Sequence, residues 1–249
     1  MSLSGSGREL VREDDEVVVY LPDRKLAIIE RRPSAGDLLG ALPQFSAGQV
    51  SEWYDVRYAG RELGLLGPSA VVVVQPKDGY RFGYRLWIDE QSHMPVRSEL
   101  SDAAGRVIER LRFTRLELKD DISDAAFEPG LDRSRFRWVR QAPQVANEAS
   151  GWRAAQVPPG FRLSVSGLQS MAGASAPVSH LVYSDGLASV SVFIQAPVPG
   201  QAPVVGSDRS GVASAFSTVV QGHQVTVVGE VPPSTLRYIA TGLQPAAPA

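Results

Sequence analysis

The first half of the chain alternates short apolar runs with turn residues. The apolar runs are β-branched or aromatic and cover residues 17–20, 26–30, 71–74, 80–88 and 106–118. Between them, Asp78-Gly79 and Ala104-Gly105 stand where tight hairpins need residues that accept a positive φ. This pattern predicts a meander of antiparallel strands. A long antiparallel sheet with little helix of its own tends to curl, so we expect a curved sheet that encloses an apolar hollow.

Two of these runs supply the expected wall of the hollow. Side chains alternate along a strand, so Phe82, Tyr84 and Leu86 fall on one face of the run 80–88. The run 71–74 consists of four valines and is apolar on both faces. We therefore predict that the hollow is lined by Val71, Val73, Phe82, Tyr84 and Leu86.

The second half of the chain has strand-like runs followed by a single helical pattern. The runs cover residues 161–165, 179–184, 187–195, 211–220 and 223–230. Pro232 and Pro233 suit the start of a helix, and apolar residues then recur at positions 236, 239, 240 and 243. The pattern predicts a smaller antiparallel sheet with one C-terminal helix packed on it, and the fold class is mainly β (α+β).

Charge is distributed unevenly along the chain. Residues 1–140 contain 21 Lys or Arg and 23 Asp or Glu, whereas residues 141–249 contain four of each. Such a break is typical of two domains with different surfaces. We predict a large β domain over residues 1–125, a connection over 126–150 and a small domain over 151–249.

Composition excludes several classes of function. The formal net charge of −2 gives no general attraction for nucleic acid. The chain has no cysteine, and its three histidines are far apart and lack metal-ligand spacing, so we expect no metal site and no cofactor. No apolar run approaches the roughly 18 residues that a membrane-spanning helix needs. The charge-poor second domain would favour self-association into a homo-oligomer.

The nearest candidate for a catalytic motif is Ser184-Asp185-Gly186. It lies between two strand-like runs, and no nucleophile elbow or Ser-His-Asp order accompanies it. Asp and Gly at such a position are typical of a hairpin turn. We therefore interpret the motif as a turn and expect no enzymatic activity.

An arginine-rich segment is the strongest candidate for a binding site. In a strand over residues 131–140, Arg133, Arg135 and Arg137 would share one face while Trp138 would lie on the other. Three guanidinium groups in a row can bind carboxylates or phosphates. The alternative is an edge strand whose charges protect it from aggregation.

Three segments carry a resemblance to a known family. They are YRFGYRLWIDEQSHMPVRSELSDAAGRVIERLRFT (80–114), LVYSDGLASVSVFI (181–194) and VVGEVPPSTLRYIATGL (227–243). Together they resemble the RseB/MucB family, and the similarity extends in order over nearly the whole chain. Members of that family have further strands and an export signal upstream, so we expect the large domain to be incomplete at its N terminus.

The resemblance implies a periplasmic negative regulator of the envelope-stress response in Gram-negative bacteria, without catalytic activity. Such a protein binds the periplasmic region of an anti-sigma factor, RseA or MucA, and shields it from the site-1 protease that starts sigma-E release. The large domain would resemble the LolA/LolB fold, which is an unclosed β-barrel with an apolar hollow, and would sense lipid or lipopolysaccharide. Candidate partner or anion contacts are Arg133, Arg135, Arg137, Trp138 and Tyr183. The alternative function is a periplasmic carrier of lipid or lipoprotein.

Overall fold

The fold is described from a computed structural model, which describes residues 9–14, 16–31, 47–128, 130–140, 150–169 and 176–246. These ranges contain seventeen strands and two α-helices, and most of the strand pairing is antiparallel. The prediction of a mainly β chain is therefore confirmed. Neither helix in these ranges is long and apolar enough to cross a bilayer.

The strands are β1 (Glu9–Glu13), β2 (Glu16–Leu21), β3 (Leu26–Arg31), β4 (Tyr54–Leu63), β5 (Pro68–Pro76), β6 (Gly83–Asp89), β7 (Pro95–Ser101), β8 (Val107–Arg112), β9 (Arg137–Arg140), β10 (Trp152–Ala154), β11 (Arg162–Gln169), β12 (Val178–Ser184), β13 (Ser189–Gln195), β14 (Gly206–Ser210), β15 (Ala213–Val220), β16 (His223–Gly229) and β17 (Leu243–Pro245). The helices are α1 (Ala47–Trp53) and α2 (Pro233–Thr241), and short 3-10 helices cover Pro22–Arg24, Asp124–Phe127 and Arg133–Arg135.

The chain divides into two compact units, one of residues 1–40 with 117–145 and the other of residues 41–116 with 146–249. The first unit contains a four-stranded sheet in the order β1-β2-β3-β9. The strands β1, β2 and β3 are antiparallel, whereas β9 is parallel to β3 and begins opposite Leu26. Val17, Tyr20 and Ala27 are buried in this sheet, and Tyr20 pairs with Ala27.

The second unit contains a five-stranded meander, β4-β5-β6-β7-β8, in which every neighbouring pair is antiparallel. Residues opposite each other in an antiparallel pair share a face. Val71 pairs with Trp87, and both are buried on one face in a cluster with Val96. On the other face, Val74 pairs with Tyr84. Both faces of the meander therefore carry apolar side chains.

The second unit also contains a six-stranded antiparallel sheet in the order β11-β12-β13-β16-β15-β14. Helix α2 packs on β15 and β16 and buries Leu236, Ile239 and Ala240, as the helical spacing predicts. The fourth position of that pattern, Leu243, lies in β17, which pairs with β10. The core of this sheet is made of Leu181, Tyr183, Val190, Val192, Ile194, Val225 and Val227 with the helix residues.

The segment 131–140 differs from its prediction as a continuous strand. Arg133–Arg135 form a 3-10 helix, and only Arg137–Arg140 form a paired strand. The cause is local, because the Asp132 carboxylate accepts hydrogen bonds from the Ser134 backbone N–H at 3.1 Å and the Ser134 hydroxyl at 2.7 Å. Such short-range side-chain bonds compete with strand pairing.

Candidate functional site

The three arginines of the predicted cluster do not share one strand face. Arg133 and Arg135 lie in the 3-10 helix, and Arg137 begins β9. The Nε of Arg135 donates to Asp132 at 3.0 Å, so this side chain helps to hold the 3-10 helix. Hydrogen bonds from the side chain and backbone of Ser134, together with Arg135, lower the pKa of Asp132 below its usual value. Arg135 is therefore engaged within its own segment.

Arg133, Arg137 and Trp138 form an exposed group that we call the arginine–tryptophan surface. The Arg133 guanidinium lies 5.2 Å from the centre of the Trp138 ring. Trp138 is 39% exposed and contacts the edge of the buried Tyr20 ring, with centroids 5.8 Å apart. Among the described residues, no carboxylate forms an ion pair with Arg133 or Arg137. This surface thus presents two uncompensated guanidinium groups and an anchored indole.

Tyr183 lies in the core of the six-stranded sheet. It is only 3% exposed, and its hydroxyl accepts a hydrogen bond from the Ala154 N–H at 2.8 Å. Burial raises the pKa of this tyrosine. In this structure Tyr183 joins β12 to β10 and is not available at the surface.

The five residues predicted to line a hollow lie in different parts of the meander. Val72 pairs with Leu86 and Val73 with Arg85, and paired residues share a face of the sheet. Because side chains alternate along a strand, Tyr84 and Leu86 lie on the face opposite to that of Val71 and Val73. Phe82 precedes β6 and is buried in a further cluster. The register therefore does not place all five side chains on one surface.

Several exposed apolar side chains of the meander lie on the same face as Leu86. Val56 and Tyr58 of β4 are 52% and 64% exposed, and Leu111 of β8 is 60% exposed. The register of the neighbouring strands places these residues on the same face of the sheet as Val72 and Leu86. We call this set, Val56, Tyr58, Val72, Leu86 and Leu111, the apolar sheet face.

Arg81, just before β6, is the most deeply buried charged group among the described residues. Its side chain has no exposure, and its Nε donates to Asp185, its Nη1 to Asp78 and its Nη2 to the Pro159 carbonyl. The Asp185 carboxylate also has no exposure. Both partners of this ion pair are therefore removed from water, and each requires the other.

Aromatic rings enclose the Arg81 guanidinium. Its carbon lies 5.4 Å from the Trp53 ring centre, 5.6 Å from that of Tyr54 and 5.0 Å from that of Phe161. The Tyr54 hydroxyl donates to Asp185 at 2.9 Å. Burial, followed by the charge of Asp185, raises the pKa of Tyr54. These contacts join the five-stranded meander to the six-stranded sheet.

The hairpin at Ser184-Asp185-Gly186 is thus a turn, as predicted, with an additional role. Asp185 accepts the backbone N–H groups of Leu187 and Ala188 at 2.8 and 2.7 Å with one oxygen and binds Arg81 with the other. The sequence does not reveal this role, because Arg81 and Asp185 are more than a hundred residues apart. No local pattern distinguishes Arg81 from the exposed arginines of neighbouring strands.

Two family models match the chain. The model described as the MucB/RseB N-terminal domain matches residues 1–131, and the MucB/RseB C-terminal domain matches residues 146–244. The chain belongs to the MucB/RseB family. This result confirms the resemblance seen in the sequence.

Relatives and solved structures agree with this assignment. The sigma factor AlgU regulatory protein MucB of Pseudomonas aeruginosa is 32% identical over 85% of this chain and 67% of its own length. The sigma-E factor regulatory protein RseB of Escherichia coli K12 is 26% identical over 98% of this chain and 76% of its own. In the Pseudomonas aeruginosa MucA/MucB complex, one chain matches with a TM-score of 0.68 at 29% identity, covering 99% of this chain and 86% of that one. These MucB/RseB relatives are regulatory proteins rather than enzymes, as predicted.

Proposed function

We propose that this MucB/RseB family member is a periplasmic regulator that binds the periplasmic region of a MucA-type anti-sigma factor. The observation that carries the proposal is the similarity to MucB in complex with MucA(peri), which extends over 99% of this chain with a TM-score of 0.68. A match over the whole chain includes both family domains. The proposal therefore does not depend on one shared domain alone.

The arginine–tryptophan surface is the proposed contact for an acidic segment of the anti-sigma factor. Trp and Arg are the residues most enriched among binding hot spots. Two guanidinium groups without a carboxylate partner can pair with acidic side chains, and Trp138 is held by Tyr20 so that little freedom is lost on binding. In this proposal the connection, residues 126–150, and the small domain, residues 151–249, engage the partner.

The test is the affinity of the purified chain for a MucA-type periplasmic region, measured by calorimetry or biolayer interferometry. We expect Trp138→Ala to weaken binding by at least about 2 kcal/mol, which is roughly thirtyfold. Arg137→Glu should weaken it by about tenfold or more, with a smaller effect at high salt. Arg57→Glu makes the same charge change at an exposed position of β4, outside the connection and the small domain, and should leave the affinity unchanged.

Two outcomes contradict the proposal at different levels. If the unmodified chain does not bind the anti-sigma region at micromolar concentration, the proposed function is wrong. If it binds and neither Trp138→Ala nor Arg137→Glu changes the affinity, the contact surface lies elsewhere. Far-UV circular dichroism and the melting temperature of each variant establish that the comparison is between folded proteins.

Regulation would follow from the same binding. An anti-sigma segment held by this chain is shielded from site-1 proteolysis, and a lipid or lipopolysaccharide that binds a different state of the chain releases it. Addition of the chain should slow cleavage of the periplasmic region, and addition of lipopolysaccharide should restore the cleavage rate. A cleavage rate that is independent of the chain would contradict the shielding role.

A lipid or lipoprotein carrier is the second candidate function, and the apolar sheet face favours it. This face lies on the meander that we propose to be part of a LolA/LolB-type unclosed barrel, and an apolar face open to solvent can accept acyl chains. Protein extracted with organic solvent should then release an acylated molecule that mass spectrometry detects. A chain that retains acylated molecules and does not bind the anti-sigma region would be a carrier.

A further inference from the structure

The turn between β4 and β5 displays three leucines at its tip. Leu63 is 87% exposed, Leu65 is 45% exposed and Leu66 is 36% exposed. Together they form the apolar part of the sequence ELGLLGP, residues 62–68. We call residues 63–66 the leucine tip. Contiguous exposed leucines on a hairpin end are unfavourable in water, so they indicate a surface that contacts something apolar.

The leucine tip is held in a defined conformation. The Gly64 N–H donates to the Gly67 carbonyl at 2.8 Å, which closes the turn. A Cβ on Gly64 would lie 2.2 Å from the Ser69 hydroxyl and 3.2 Å from a Val96 methyl, so the backbone packs closely on the sheet end. The exposed leucines are therefore presented by a tight turn rather than by an extended loop.

The tip offers an apolar surface with few free hydrogen-bonding groups among those described. The backbone amide of Gly64 and the carbonyl of Gly67 already bond each other. The nearest acid on β4, Glu62, bonds the Trp87 indole N–H at 2.7 Å and Arg85 at 3.0 Å. A protein partner gains specificity from satisfied polar contacts around an apolar anchor, and such contacts are scarce here. A convex apolar tip fits a soft lipid surface better.

Arg61 lies behind the tip, at a distance from Leu63 that is close to the thickness of the polar interface of a bilayer. Arg61 is two residues from Leu63, about 7 Å along the strand at roughly 3.3 Å per residue. The polar interface of a bilayer is about 5–8 Å thick on each side of the hydrocarbon core. Glu90 pairs with Arg61 at 2.7 Å and offsets part of its charge.

A second arginine near this end is uncompensated. Arg112 is the last residue of β8 and pairs with Arg97 of β7. The same row continues through Trp87 of β6 to Val71, which lies three residues after the start of β5. In the described ranges no carboxylate pairs with Arg112. The five-stranded meander with its turns, residues 54–116, holds ten Lys or Arg and eight Asp or Glu, although the whole chain has a net charge of −2. The meander as a whole therefore carries a small excess of positive charge.

From these features we propose that the leucine tip inserts into the surface of an anionic phospholipid membrane. The three leucines enter the boundary between headgroups and acyl chains, and Arg61 and Arg112 face the phosphates. Burial of apolar side chains and attraction between basic residues and anionic lipid act together in this kind of peripheral binding. The contact requires no anti-sigma factor, so it is independent of the proposed function.

The test is flotation of the full chain with vesicles of phosphatidylethanolamine and phosphatidylglycerol, compared with vesicles of phosphatidylcholine. The chain should float with the anionic vesicles, and L65S/L66S should lower the partition coefficient at least tenfold. The matched control is V204S/V205S, because these two valines are 64% and 66% exposed on a different loop. This control should bind as the unmodified chain does. R112E should weaken binding about fivefold at low salt, the effect of one basic residue near an anionic surface.

The proposal is overturned if the unmodified chain does not float with anionic vesicles, or if L65S/L66S floats as well as V204S/V205S. It is also overturned if L65S/L66S keeps its vesicle binding and loses affinity for the anti-sigma region, because the tip is then a protein contact. Circular dichroism and melting temperature verify the fold of each variant. If L65S/L66S does not fold, the single change L63S at the most exposed position repeats the test with the same expected direction.

Discussion

Replacing Arg81 with methionine should destabilise the second unit far more than replacing an exposed arginine. Methionine keeps much of the side-chain length but removes the charge and the three donors that bind Asp185, Asp78 and the Pro159 carbonyl. The Asp185 carboxylate, which has no exposure, would then remain buried without a counter-ion. Removing one partner of a buried ion pair costs about 3–5 kcal/mol in other proteins.

The structure refines this magnitude. Asp185 keeps the Tyr54 hydroxyl and the backbone N–H groups of Leu187 and Ala188 after Arg81 is gone, so its negative charge is still partly solvated by the protein. Loss of the aromatic contacts of the guanidinium adds a smaller cost. Because the hydrogen bonds that Asp185 keeps are the larger effect, we expect the free energy of unfolding to fall by an amount near the lower end of the range, about 3 kcal/mol.

The assay is urea unfolding followed by tryptophan fluorescence, with the free energy of unfolding obtained by linear extrapolation. Arg106→Met is the control, since Arg106 pairs with Asp102 at 2.7 Å with 80% of its side chain exposed and should cost no more than about 1 kcal/mol. In a double-mutant cycle, R81M/D185N should cost at least about 1.5 kcal/mol less than the sum of the single changes. A cost of R81M equal to that of R106M, or additive single costs, would refute the reasoning.

Two further predictions concern tight turns. Gly160→Ala should cost at least about 1 kcal/mol more than Gly200→Ala in the same unfolding assay, because its Cβ would lie 2.4 Å from an indole nitrogen. Both glycines have a positive φ, +85° and +79°, and Gly200 has open space, so equal costs would exclude the steric contribution. Asp89 accepts hydrogen bonds from the backbone and side chain of Ser92, which lower its pKa. Asp89→Asn should therefore lower the melting temperature at pH 7. The difference should begin to shrink near pH 4, where the unfolded carboxyl takes up a proton, and should vanish only below the lowered pKa of the folded carboxyl. A difference independent of pH would contradict this.

Local patterns in the sequence were sufficient to predict most of the elements. Period-two alternation indicated the strands on both sides of the charge break, and the spacing of Leu236, Ile239 and Ala240 indicated the face that α2 buries. The pattern failed at Leu243, which is buried in β17 instead of extending the helix. A single apolar position cannot distinguish a helix end from the next strand, since both bury it.

The candidate surfaces were less predictable. The regular alternation of the arginine-rich segment 131–140 predicts one strand, but Asp132 makes short-range hydrogen bonds that favour a 3-10 helix. Trp138 was identified as a candidate contact, and its support by Tyr20 became visible only in the fold. Similarly, the exposure of the leucine tip follows from which side chains the sheet leaves uncovered.

The mainly β class, the turn at Ser184-Asp185-Gly186 and the family follow from the amino-acid sequence, because they depend on local periodicity, turn chemistry and ordered similarity along the chain. The face that each strand residue occupies and the burial of particular charged groups are visible only in the folded chain. Register moves a side chain from one face to the other with a shift of a single residue, and the pairing of Arg81 with Asp185 joins positions that are distant in the chain. Such contacts depend on distances in space, which alternation along the chain does not encode.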